Sequence, residues 1–327
     1  YRCFVFPMLN DEDIEISAIE FRADNKVAVH HSIITYVPHG SADFLEDEDP
    51  EYGYDCYGGF GLNTTTDLIG GYTPGISVAE YPDGIARTIP ANSDLIIQMH
   101  YAPLNTEESD QSSINIFLKD EPVDREVQQF IFADWGFFLP PDQETTITNT
   151  LDVPADISLI NFLPHCHLLG KSWEIYVTTP TSDIIPIIKI NDWDFDWQSF
   201  YYPEYLLPIP AGSVITATCV YDNTAENEDN PNDPPDWVFP GQSTNDEMFF
   251  IPFDFVNYIE GDENIYLGHD VCHMIGDINL DGNVNILDVV NMIDAILNST
   301  ELECSDLNDD NGLNILDVVA LVNIIIS

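Results

Sequence analysis

The sequence predicts an all-β chain: two antiparallel β-sandwich domains followed by a small α-helical module. Three observations carry this. Residues 1–266 hold short segments rich in Val, Ile, Thr, Tyr and Phe, broken by Gly and by many of the 22 prolines. No stretch of useful length there has helical period. After Gly268 the text changes to an Asp/Asn-rich loop and an amphipathic run, written twice. A chain of 327 residues with 44% hydrophobic content can bury two or three cores.

The expected strands of the first half are CFVFPML, DIEISAIEFRA, KVAVHHSIITYV, DLIIQMHYAPL and SSINIFLKD. Asp120-Glu121-Pro122 reads as a boundary, placing one sandwich at 1–122 and the next at 127–266. The second contains DISLINFLPHCHLLG, KSWEIYVTT, IIPIIKI, SVITATCVYD and EMFFIPFDFV. Trp193, Phe195 and Trp197 alternate in DWDFDWQ, which predicts one buried sheet face, with a substrate platform as the other reading.

Charge narrows the function. Fifty-eight acidic residues against eight basic ones give a formal charge of -50. Such a surface repels phosphate backbones and anionic lipid, so no nucleic acid or membrane partner is expected. No apolar run approaches the ~18 residues of a membrane span. The chain opens inside an apolar segment, YRCFVFP, as if a leader had been removed on export. Six cysteines fit no CxxC zinc pattern and agree with an oxidising, secreted or extracellular setting.

The C-terminal repeat, 270–327, carries cation-binding spacing. Oxygen donors fall at loop positions 1, 3, 5, 9 and 12 as Asp277, Asn279, Asp281, Asn285 and Asp288, with Asn283 at the backbone-ligand position 7 and Gly282 at the turn. The second loop offers Asp306, Asn308, Asp310, Gly312, Asn314 and Asp317 at the same positions, with Asn311 at the turn. Two calcium ions are expected; a polar capped turn is the alternative. Each loop feeds an exit helix with no entry helix, and here the sequence resembles a type I dockerin. That resemblance implies docking to a cohesin-like domain, on a bacterial cell surface or scaffold, through Ile286-Leu287 and Ile315-Leu316. The same apolar pairs could serve the protein's own assembly. Cys272 and Cys304 each precede a loop and are candidates for a disulfide.

The β-rich part holds His30-His31, His100, His165-Cys166-His167 and Met248. On a strand, His165 and His167 would share a face and Cys166 would turn inward. A thioether third ligand is soft and favours Cu(I). Adjacent His30 and His31 would face opposite sides of a regular strand, so one ion can take both only if the strand is bulged or ends there. Alone, HxH is at least as readily a surface pair, and His30-His31 alone reads first as one buried and one exposed histidine.

Taken in order, HH, QMHY, HxHxxGK and TxDEM resemble the copper type II, ascorbate-dependent monooxygenases over roughly residues 1–266. The resemblance implies two jelly-roll-like sandwiches with a copper on each and a solvent-filled cleft between. It implies hydroxylation of an activated C–H bond of a small-molecule substrate, with dioxygen and an external reductant such as ascorbate. His30, His31 and His100 match the electron-transferring copper; His165, His167 and Met248 match the catalytic, oxygen-activating copper; Gln98 matches a glutamine near the path between them. Cys3 and Cys56 match a family disulfide, while Cys219 matches a half-cystine whose partner position is Phe249. Leu163, Pro252 and Phe250 replace an arginine, a tyrosine and an asparagine of the peptide-amidating branch, which argues against a peptidylglycine substrate. A rival is an extracellular assembly protein using the same sandwiches; another is copper storage without turnover.

Overall fold

The computed structural model describes residues 1–327 apart from 57–58, 63–66, 74–79, 103, 196, 268–275, 280–283, 299–304, 309–311 and 327. The chain is mostly β-sheet, with helix in 11% of it. It divides into a larger unit drawn from Tyr1–Pro74 and Glu80–Leu267 and a smaller one that includes Gly268–Ser327.

The first part of the larger unit contributes β1 (Arg2–Pro7), β2 (Ile14–Arg22), β3 (Val29–Pro38), β4 (Tyr54–Asp55), β5 (Leu68–Tyr72), β6 (Ile85–Ile89), β7 (Ser93–Tyr101), β8 (Ser113–Leu118) and β9 (Arg125–Glu126). They form two sheets, β4-β1-β7-β3-β5 and β8-β2-β6-β9. Every pairing among them is antiparallel except β6 with β9. Ile16, Phe21 and Ile89 of one sheet pack against Ile34, Leu95, Ile97 and Met99 of the other. A disulfide joins Cys3 of β1 to Cys56 beyond β4. One short helix, α1 (Asp43–Glu48), departs from the helix-free expectation; none of its residues is buried, so no apolar period announces it.

The second part supplies β10 (Gln128–Asp134), β11 (Gln143–Asp152), β12 (Ile157–Phe162), β13 (Gly170–Thr178), β14 (Ile184–Ile190), β15 (Leu207–Ile209), β16 (Val214–Asn223) and β17 (Phe249–Asn257). Its sheets are β10-β17-β12-β15 and β11-β16-β13-β14. β16 shows the sandwich logic plainly: Ile215, Ala217, Cys219, Tyr221 and Asn223 alternate inward while their neighbours stay half-buried. Trp173, Phe249 and Phe253 complete the core between the sheets. Each such apolar side chain stabilises by about 1.5–3 kcal/mol when fully buried. The two sandwiches are tied by the Gln129 amide of β10, which pairs with both backbone groups of Leu68 on β5, each at 2.9 Å.

In the smaller unit, α2 (Ile286–Asn298) and α3 (Ile315–Ile326) pack through Val289, Met292, Val318 and Leu321, with Ile278. Both loops close onto the acid at position 12. Asp288 is fully buried and accepts the backbone N–H groups of Ile278, Asn279 and Asn285 at 2.8, 3.1 and 2.8 Å. Asp317 repeats this with Leu307 and Asn314 at 2.9 and 2.8 Å. Asn285 and Asn314 in turn accept from Leu287 and Leu316, each at 2.9 Å, so each helix starts on a reciprocal cap. Of the expected cation ligands, Asp281, Asn283 and Asp310 lie outside the described residues, as do Gly282, Asn311, Cys272 and Cys304. Among the described residues no helix is long and apolar enough to cross a membrane.

Candidate metal centres

The first centre is built by β3 and β7, which pair so that His31 faces His100. The register slips between Val29 and His31, making His30 the extra residue of a bulge. That irregularity answers the geometric problem posed by two adjacent histidines. It lets His30 and His31 meet: their Nδ1 atoms are 3.0 Å apart, and His31 Nδ1 lies 3.3 Å from His100 Nδ1. One potential ligand nitrogen from each of the three falls within 4.8 Å of the others. Two ligands about 2.0–2.1 Å from one ion at a tetrahedral angle stand about 3.3 Å apart, so the spacing fits a single metal. Burial, then the neighbouring imidazoles, holds His31 well below the ordinary imidazole pKa. Burial, then His30, lowers His100 to about 4. Both rings therefore present neutral lone pairs at physiological pH, the form that binds a metal. Tyr1 stacks on His100 with centroids 4.1 Å apart, and its hydroxyl meets Thr244 Oγ1 at 3.0 Å.

The second centre corrects the strand reading of the HxH. β12 ends at Phe162, two residues short of Pro164, which has no N–H for a ladder. His165 then makes an isolated pair with Phe250, exchanging N–H groups and carbonyls at 2.9 and 3.2 Å. From His167 the chain turns, closing with Gly170 N on His167 O at 3.2 Å. A side chain at 170 has no room, since a Cβ there would stand 2.3 Å from Cys166 Sγ and 2.7 Å from Trp193. The rings of His165 and His167 still meet, 5.0 Å apart and nearly perpendicular, through a turn rather than strand alternation. Cys166 does point into the core, fully buried, with the Trp173 indole N–H on its sulfur at 3.2 Å. It and Cys219 are free thiols.

His165 Nδ1 is bound to Gln198 Oε1, and His167 Nδ1 to the Asp246 carbonyl at 3.0 Å. Both acceptors are oxygens, so each Nδ1 carries the proton and each Nε2 keeps a lone pair for a metal. Burial lowers His165 to about 3 and lowers His167 as well. The backbone of Met248 is tied to the HxH turn. The neighbouring Glu247 carboxylate, fully buried, accepts from His167 N at 2.8 Å, Leu169 N at 2.7 Å and Met248 N at 3.1 Å. The Tyr221 hydroxyl donates to the Met248 carbonyl at 2.7 Å. Two imidazoles with a methionine thioether would make a set suited to Cu(I).

Several supporting residues escaped sequence reasoning. Glu247 appeared only as the unassigned acid of TxDEM, and Gln198 carried no signal at all. The aromatic alternation misled: DWDFDWQ leaves the sheet after β14, Trp197 is exposed, and Trp193 N instead bonds the Lys171 carbonyl at 2.9 Å. Phe195 sits with its ring centroid 6.0 Å from that of His30 and 6.1 Å from that of His167, where a solvent-filled cleft was expected. Gln98 is buried and spends its amide N–H groups on the carbonyls of Cys56 and Gly59 at 3.2 and 2.5 Å. It braces the disulfide-linked loop.

Comparison with known proteins concerns mainly the second sandwich. Residues 139–265 match the family model described as copper type II ascorbate-dependent monooxygenase, C-terminal domain. A human relative, "Putative DBH-like monooxygenase protein 2" (Homo sapiens), is 24% identical over 273 residues, covering 76% of this chain and 52% of its own length. The chain thus spans about half the length of the curated relative it matches. Among solved structures, the infectious bursal disease virus VP2 subviral particle is similar at 12% identity and TM-score 0.24, over 80% of this chain and 60% of that one. The Gx strain of that virus gives 11% and 0.23, over 78% and 60%. Scores of that size carry no argument about fold or function. Over residues 139–265 the chain is thus similar to the C-terminal domain of the copper type II ascorbate-dependent monooxygenases.

Proposed function

We propose that this chain is an exported copper-dependent monooxygenase that hydroxylates an activated C–H bond of a small molecule, using dioxygen and a reductant such as ascorbate. The observation that carries this reading is the convergence of His30, His31 and His100 on one point, with a second pair of histidines held through Nδ1 by Gln198 and Asp246. The family match of residues 139–265 supports it. In this reading His30, His31 and His100 hold one copper, and His165, His167 and Met248 hold the other. Copper in these positions would supply one-electron transfer and dioxygen activation. The protein keeps the imidazoles neutral by burial, fixes their tautomers through Gln198 and Asp246, and holds Met248 against the HxH turn through Glu247. Pro252 is buried in β17 and Phe250 pairs with His165, so the positions that the peptide-amidating branch uses for recognition are apolar here. A substrate without a free peptide carboxylate fits that better.

The smaller unit is the attachment module of this proposal, with one calcium per loop. Ile286, Leu287, Ile315 and Leu316 stand at equivalent places on the two helices and are between 55% and 64% exposed, which suits a cohesin-like partner.

The test is dioxygen uptake by the copper-loaded chain. Consumption that requires ascorbate, and that is lost in His167→Ala, supports the reading. Bound copper without uptake supports storage, and calcium-driven self-association without copper supports a scaffold; either outcome overturns the enzyme.

A further inference from the structure

One short segment touches both centres. Phe195 lies between His30 and His167, its plane 24° from the first ring and 87° from the second. It stacks on the one and meets the other edge to face, two favourable aromatic geometries. Its backbone is held by Gln198, whose Nε2 donates to the Phe195 carbonyl at 2.6 Å while Oε1 takes the His165 Nδ1–H. Gln198 is itself only 8% exposed, so this grip is shielded from water.

We propose that Phe195 is the spacer of the two centres: its ring fills the gap between them, fixes their separation and keeps water out of it. The inference rests on both triads holding copper, as set out above. A gap filled by a packed ring has one width, whereas a water-filled gap has many. Packed atoms also carry an electron across a given distance better than an open gap does. In the transfer, one electron leaves the three-histidine centre and one arrives at the His165/His167/Met248 centre; the ring is neither oxidised nor reduced. Excluding water further strengthens the electrostatic coupling of the two sites. Phe195 is thus a positioning residue, acting through distance and packing.

The test uses the full chain loaded with Cu(II) at both centres and read by EPR, with no turnover involved. The wild type should hold two coppers per chain and show dipolar broadening and a half-field signal. Phe195→Ala should retain both coppers and replace that single coupling by a spread of couplings, since the gap then takes many widths. Phe195→Leu, which keeps bulk but not the ring, should largely retain the single coupling and guards against a folding artefact. A Phe195→Ala spectrum identical to the wild type at two coppers overturns the proposal, as does a doubly loaded wild type without coupling. A wild type that takes up fewer than two coppers defeats the parent reading instead, and this one with it.

Discussion

Arg87 on β6 reaches Asp254 on β17, with Nη2 2.6 Å from Oδ1 and both side chains buried. The pair joins the two sandwiches. It is an ion pair by distance, since neither terminal nitrogen of Arg87 has a well-aligned acceptor. Asp254 is better served, accepting Gln129 Nε2 at 2.8 Å and Asn161 Nδ2 at 3.1 Å. Removing one member of a buried pair strands the other's charge, at a cost of about 3–5 kcal/mol. Arg87→Met should lower stability by that much in denaturant unfolding, and a change under about 1 kcal/mol would show that the amides alone satisfy Asp254.

Glu247 gathers three backbone N–H groups from two stretches of chain, and burial pushes its carboxyl up to about 8 despite them. Glu247→Gln keeps the shape but turns an amide N–H toward those donors. Copper affinity at the His165/His167/Met248 centre should fall about 10–100-fold, the usual effect of losing a ligand-orienting partner. The three-histidine centre should be untouched. Competitive Cu(I) titration of the variant reads both sites.

His39 Nδ1 lies 2.7 Å from Asp94 Oδ1, and Asp94 Oδ2 accepts Gly40 N at 2.8 Å. The hydrogen bond to Asp94 raises the His39 pKa. A histidine raised in the folded state stabilises fully below its unfolded value of about 6.5 and loses that contribution as pH climbs through the folded value. Melting temperature should therefore fall more steeply above pH ~6.5 in the wild type than in His39→Asn. Parallel curves would show that the pair contributes nothing.

Calcium should bind the smaller unit and raise its melting temperature. Asp277→Ala and Asp306→Ala remove position 1 of each loop and leave the caps of Asn285, Asp288, Asn314 and Asp317 standing. Calorimetric titration should show calcium uptake lost in these variants with both helices retained. No uptake by the wild type would reduce the loops to capped turns.

Parity made the bulge at His30 legible, because two neighbours on a flat strand cannot share a face. The same parity read Cys166 as a core side chain, and it is one, although a turn rather than strand alternation puts it there. The turn at His165–Gly170 was not legible, because Pro164 stops the ladder while β17 still guides the chain, and a periodic reading cannot see that partner. The DWDFDWQ segment has period 2 without a strand among its described residues: Asp192 and Asp194 are exposed, and Trp193 finds Lys171 rather than a sheet neighbour. Gln198 and Glu247 act through contacts 33 and 80 residues away in sequence, on His165 and His167. Nothing local marks Gln198, and Glu247 is marked only by its place in TxDEM.

Copper content after equilibrium dialysis tests the central claim most directly, measured on the wild type beside His100→Ala and His167→Ala. Two coppers in the wild type and one in each variant are predicted. Equal copper in all three proteins, or none in any, would contradict the account.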